Sequence, residues 1–242
     1  MVLSGLSELR DHWFPKSETN ALSNRLSLLC LGCLAVYVSY YCMFESSGQS
    51  MMSIPSPPAH LGTSQKVDFD YASLERNFSF GSKNGQIRII EFGDFQCPFC
   101  GKGNKTSNAL LRLYDGQVAL YFVNCPLNIH PSARSAAKAA VAASLQGKFW
   151  EFRNELYERQ GALSEDEYIA IARKLGLDIQ RFRTDLNSKR VTDFLEKDLA
   201  LASKLGIVGT PRYYINGVPI IGALPIEKFQ EVIAMQGNVK KQ

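Results

Sequence analysis

Gln86-Ile-Arg-Ile-Ile-Glu-Phe-Gly-Asp-Phe-Gln-Cys-Pro-Phe-Cys100 decides the fold. Its first half, Gln86 to Phe92, is a short apolar run rich in β-branched residues and reads as a buried strand. Gly93 to Gln96 turns the chain, and Cys97-Pro98-Phe99-Cys100 follows at once. From Cys100 to Tyr114, Leu110, Leu111 and Leu113 suit one face of a helix, which Asp115-Gly116 breaks. Val118 to Val123 is a second strand. Strand, helix and parallel strand make a βαβ unit.

Downstream the pattern turns helical. Pro131 suits a first helical position, and Ala133 to Leu145 is rich in the strongest helix former. Phe149, Trp150, Phe152, Leu156 and Tyr157 supply large apolar surface to a following helix. Ser164-Glu-Asp-Glu167 is a capping box opening Tyr168 to Leu175, and Gly176 stops that helix. Asp178 caps a short helix, and Val191 to Leu205 forms a long one ended by Gly206. Strand signals then return. Arg212 to Ile215 and Val218 to Ile221 flank Asn216-Gly217, a strong hairpin dipeptide. Pro225 to Ala234 reads as a terminal helix.

A Cys-x-x-Cys pair between a buried strand and a helix is redox chemistry in outline. The thiolate is the nucleophile in disulfide exchange, and a helix N-terminus stabilises an anion. Cys97 is expected at the exposed tip, as the group that attacks or is attacked. Cys100, one turn further in, should resolve the mixed disulfide. Pro98 pre-sets the helix start, and Phe99 between the sulfurs adds no charge. The competing role is structural, or half of a zinc site. Zinc wants four ligands, and Cys125, His60 and His130 are the only other thiol or imidazole candidates after the N-terminal apolar stretch. No resident metal or cofactor is expected.

The chain has 242 residues, 45% hydrophobic and 21% charged, with a net charge of +4. Basic and acidic residues are interleaved, which gives no footprint for nucleic acid. Leu26 to Phe44 carries no charge and no histidine. At about 1.5 Å per residue it is just long enough to cross a bilayer core of about 30 Å. Arg10, Lys16 and Arg25 precede it, and the next basic residue is Lys66. The positive-inside rule then puts residues 1–25 in the cytoplasm and everything after Phe44 outside. An uncleaved anchor is favoured over a cleaved signal peptide, for want of an Ala-x-Ala-like site. It is also favoured over a lipoprotein signal at Leu31-Gly32-Cys33. Cys30, Cys33 and Cys42 then read as small apolar residues of the span. The expected segments are 1–25 cytoplasmic, 26–44 membrane anchor and 45–70 a linker rich in Ser and Pro. Then come 71–129 with the cysteine motif, 130–205 a helical insertion, and 206–242 the C-terminal part.

Three motifs in order resemble the thioredoxin superfamily, most closely its DsbA-like branch. They are the strand running into Gly93-Asp-Phe-Gln-Cys-Pro-Phe-Cys100, and Pro126-Leu-Asn-Ile-His-Pro131 before the alanine-rich helix and Gln146-Gly-Lys-Phe-Trp150. The third is Val208-Gly-Thr-Pro211 leading into Arg-Tyr-Tyr-Ile-Asn-Gly. The likeness covers Tyr71 to Ala234. It implies a thioredoxin fold of α/β class interrupted by a helical domain, exchanging disulfides with exported proteins and reset by a membrane redox partner. By position it makes Cys97 the nucleophile, Cys100 its partner, Pro211 the cis-proline facing them and Thr210 a contact for substrate backbone. Glu91 matches a buried acid that moves protons for the inner cysteine; if buried, its pKa should rise. His130 reads as a helix-entry residue. Cys125 has no place in the pattern and reads as a buried free thiol, or more sharply as a third redox thiol. Oxidase work is favoured over reductase and isomerase work. A membrane-tethered client-binding factor, or a metal-delivery factor using Cys97, Cys100 and Cys125, remains the alternative.

Overall fold

The computed structural model describes residues 66–74, 78–82 and 84–237. The apolar span 26–44 and the linker up to residue 65 lie outside the described residues. Among the described residues no helix is long and apolar enough to cross a membrane.

The described chain runs α1 (Tyr71–Leu74), β1 (Phe78–Gly81), β2 (Ile87–Gly93), α2 (Pro98–Leu113) and β3 (Val118–Asn124). Then come α3 (Ala133–Ser144), α4 (Phe149–Glu158), a 3-10 turn (Gln160–Ala162), α5 (Glu165–Lys174), α6 (Ile179–Leu186) and α7 (Lys189–Lys204). It closes with β4 (Arg212–Ile215), β5 (Val218–Ile221) and α8 (Ile226–Ala234). The sheet order is β1-β3-β2-β4-β5. β2 and β3 pair in parallel across α2, while the remaining pairs are antiparallel. The βαβ unit and the hairpin therefore join one sheet, although α3 to α7 lie between them in sequence.

Strand alternation sorts the core. Ile87 and Ile89 face α2 and α8, among Leu110, Tyr213 and Phe229. Ile90 and Phe92 face the other way, among Val123, Cys125 and Ala202. Glu91 shares parity with Ile87 and Ile89, so it must enter the core on their side. A third cluster joins the sheet to the helices through Phe122, Phe149 and Phe152. Alanines at 136, 137, 139, 140, 142 and 143 are buried there, which lets neighbouring helices approach α3 closely.

Local signals account for most boundaries. The Ser164 and Asp178 side chains accept from Glu167 N and Arg181 N as N-caps. Asn216 and Gly217 have φ of 46° and 87°, the paired positive values of a tight hairpin turn. Asn216 also locks its hairpin to β2, accepting from Arg88 N at 2.7 Å.

Two expectations are corrected. Pro131 is not the first residue of α3, which starts at Ala133 behind Ser132. A turn from Leu127 to His130 comes first, and the Ser132 N–H is taken by the Gln96 side chain at 2.6 Å. Strand β1 was not expected at all. It is four residues long, and its ladder with β3 runs from Phe78↔Phe122 to Gly81↔Ala119.

Candidate active site

Cys97 is the N-cap of α2, with extended φ −70° and ψ 119°, and Pro98 opens the helix. The Cys97 carbonyl accepts from Cys100 N at 3.0 Å and Gly101 N at 3.3 Å. The two thiols are not bonded to one another. The expected exposed tip is not Cys97, which is 4% accessible, but Phe99 at 57%. Cys97 is covered by the turn before β4: its Sγ lies 3.4 Å from the Thr210 carbonyl. The Thr210–Pro211 peptide bond is cis. The topology thus brings Thr210 and Pro211 to Cys97 across 113 residues of sequence.

The two sulfurs are electrostatically unequal. The Cys97 thiol is lowered from 9.0 to about 5, first by a hydrogen bond from the Cys100 side chain. Burial opposes this; the Cys100 N–H, Thr210 and the Phe99 N–H reinforce it. The helix start contributes, as expected, but the neighbouring thiol contributes more. Cys100 is pushed well above its ordinary value, first by burial and then by the hydrogen bond and charge of Cys97.

The loop before Cys97 is suspended by side chains that sequence reasoning missed. The buried Asp94 carboxylate accepts from Gln96 N at 2.8 Å, Cys97 N at 3.3 Å and Leu127 N at 2.9 Å. His130 Nδ1 completes the set at 2.7 Å. The Asp94 N–H points to Cys100 Sγ at 3.4 Å. His130 therefore does more than enter a helix: it braces the residue that touches both cysteines. The signal lay in Pro126 to Pro131, which the resemblance had singled out without assigning a contact. Gln160 holds the loop from the other side, donating to the carbonyls of Phe95 and Cys97.

Glu91 is fully buried, and it is not alone. Its Oε2 accepts from Arg153 Nη2 at 2.7 Å and from the Ser107 hydroxyl at 2.8 Å. Arg153 is itself wholly buried, bonded to Asn104 and set over the rings of Phe122, Trp150 and Tyr157. The carboxylate is therefore buried together with a paired guanidinium, a partner the sequence did not point to. Glu91 Oε1, Arg153 Nε and Tyr157 Oη are buried without a direct partner.

Cys125 is buried, and its thiol is pushed up to about 11 by burial and by Asp94 and Asp198. At neutral pH it is a poor nucleophile. Among the described residues no group of three or more His, Cys, Asp or Glu is placed to hold a metal ion.

A family model described as thioredoxin matches residues 73–235. "Probable disulfide bond formation protein D" of Bacillus cereus is 31% identical over 150 residues, covering 57% of this chain and 69% of that protein. "Na(+)/H(+) antiporter NhaA 1" of Salinispora arenicola is 32% identical over 160 residues, covering 66% of this chain. The match spans only 24% of that antiporter's length. A thioredoxin-like oxidoreductase from Silicibacter pomeroyi superposes with a TM-score of 0.63 at 28% identity, covering 70% of this chain and 100% of that one. BdbD from Bacillus subtilis shares the fold, with a TM-score of 0.62 at 23% identity over 67% of this chain and 94% of that one.

Proposed function

Since this chain belongs to the thioredoxin family, we propose that it is a protein thiol–disulfide oxidoreductase working through Cys97 and Cys100. The observation that carries this is the placement of Cys97 at the start of α2 beneath the cis Thr210–Pro211 turn, with Cys100 one turn further in; the first thiol is lowered and the second held high. In the oxidising direction a client thiolate attacks Cys97 Sγ of the Cys97–Cys100 disulfide. The S–S bond breaks, and Cys100 leaves as a thiolate and takes a proton. A second client thiolate then attacks the client sulfur of the mixed disulfide and expels Cys97. The client gains a disulfide and the protein gains the two electrons as a dithiol. A thiol of low pKa is the better leaving group in that last step. Thr210 and Pro211 flank the sulfur and are proposed to align client backbone. Pro98 and Phe99 shape the helix start, and Glu91 is proposed to serve proton traffic at Cys100.

The lowered Cys97 thiol supports the oxidising direction. Reference thiols stand at about 7 in thioredoxin and about 3.5 in DsbA, with potentials of about −270 and −120 mV. Lowering the nucleophile from about 7 to about 5 stabilises the reduced form at pH 7 by roughly 50 mV, at about 30 mV per tenfold. The expected potential therefore lies above that of thioredoxin. Equilibration of the full chain with glutathione measures it. A value at or below about −270 mV would reverse the proposed direction to reductase. Loss of exchange in Cys97→Ser is the companion expectation. Retained biological activity in that variant would turn the domain into a client-binding factor.

We place the work outside the cytoplasm, on exported clients with thiols or disulfides, with a membrane redox partner restoring the disulfide. The support is the charge-free segment 26–44 with basic residues on its N-terminal side. Protease added to intact spheroplasts should remove residues 66–237. Full protection would place them inside.

A further inference from the structure

Gln160 stands in the 3-10 turn between α4 and α5, far in sequence from the cysteines. Its Nε2 donates to the Phe95 carbonyl at 2.8 Å and to the Cys97 carbonyl at 2.8 Å. One amide therefore straddles the backbone that carries the nucleophile. Its Oε1 lies against Gly101 so closely that a Cβ there would sit 2.3 Å away. Glycine is a poor helix residue compared with alanine. Its presence in the first turn of α2 is explained by the room that this amide needs. The turn itself is braced. Arg159 pairs with Glu167 and, at 3.2 Å, with Glu155, which Lys174 holds at 2.6 Å. Tyr157 packs on Phe95, with ring centroids 5.1 Å apart.

We propose that Gln160, admitted by Gly101, is a positioning residue that clamps the Cys97 loop to the helical insertion. The proposal rests on Cys97 being the exchanging sulfur. The clamp acts in two ways. It fixes the extended conformation of Cys97, which aims the N–H groups of Phe99 and Cys100 at its sulfur. It also sets donors on two carbonyl oxygens whose partial negative charge would otherwise oppose a thiolate nearby. Gln160 touches no reacting atom; it works through the backbone.

The test is the ultraviolet titration of the thiolate in the reduced full chain, with Cys97→Ser as the blank. Gln160→Glu keeps the shape and replaces the donor with a carboxylate. Gly101→Ala keeps every donor and displaces the amide. Each should raise the midpoint by about one pH unit, a tenfold loss of thiolate within the titrating range. The double variant should move no further than the larger single shift, because both changes break the same contact. Midpoints equal to wild type overturn the proposal, and so do additive shifts. A lowered melting temperature with an unmoved titration also overturns it, since that is what mere packing would give. Should Gln160→Glu fail to fold, Gly101→Ala decides alone. Glutathione exchange by the wild-type chain is measured alongside. Its absence would sink the oxidoreductase reading, whereas exchange with unmoved variants sinks only the clamp.

Discussion

Cys97 and Cys100 share one turn of helix yet are pushed in opposite directions, because one keeps hydrogen-bond donors and the other loses solvent. The Cys97 shift sets a pH dependence. Its folded value, about 5, lies below the ordinary 9.0. The stabilisation it gives the reduced fold is complete above pH 9 and fades as pH falls through 5. Urea unfolding of the reduced protein should therefore show stability rising from pH 5 towards pH 9. Cys97→Ser should flatten that slope, and an equal slope in both proteins would contradict it. Above pH 9 the Cys125 thiol, raised to about 11, works the other way. A second expectation concerns Arg153. Arg153→Met leaves a buried carboxylate unpaired and should cost about 3–5 kcal/mol in chemical denaturation. Adding Glu91→Gln should recover much of that loss. The cysteine pair, Pro98, Thr210 and Pro211 were legible because each belongs to a short motif. Arg153, Gln160 and His130 were not, because their bonds reach back 62, 63 and 36 residues. No local pattern in sequence records a partner at such separations.

Helix α2 is the element on which the sheet and the nucleophile meet. Its glycines mark where other parts come close. At Gly103 a Cβ would lie 2.1 Å from Tyr213 Oη on β4. Gly103→Ala gains about 1 kcal/mol of helix propensity but forces that contact apart, an overpacking cost of about 1–3 kcal/mol. A lower melting temperature is expected; a higher one would show that Tyr213 yields freely. Helix starts were readable at Ser164 and Asp178, where a cap sits beside its helix, whereas the Ser188 cap of α7 was passed over and that helix was placed two residues late. The start of α3 was misread because its Ser132 N–H bonds to Gln96, a residue of the active-site loop. Strand β1 escaped notice because four residues give little alternation, and its pairing with β3 is a tertiary fact.

At the scale of the molecule, aromatic rings join sheet and helices. Phe95 meets Phe122 at 5.4 Å, and Phe122 meets Phe149 at 5.5 Å between centroids. Phe122→Ala should cost about 3–5 kcal/mol. Unfolding followed by Trp150 fluorescence and by circular dichroism should stay coincident for the wild-type domain. Separate midpoints would mean that the sheet and the helices melt apart. The order of layers was foreseeable from the alternation of apolar patterns, whereas the contacts that fuse them were not.

The sheet itself is assembled out of order. Strand β2 lies between β3 and β4, and Ile89 pairs with Ile215. During synthesis, β2 must wait for residues 94–211 before its second edge can be covered. At about 5–20 residues per second that delay is roughly 6–24 s. Through that interval the nascent chain carries an open strand edge and a Cys-Pro-Phe-Cys loop with no Thr210 over it. Both are sticky, one towards other strands and one towards other thiols. A chaperone that shields extended segments would find its binding window here, and it would be displaced when the C-terminal hairpin docks.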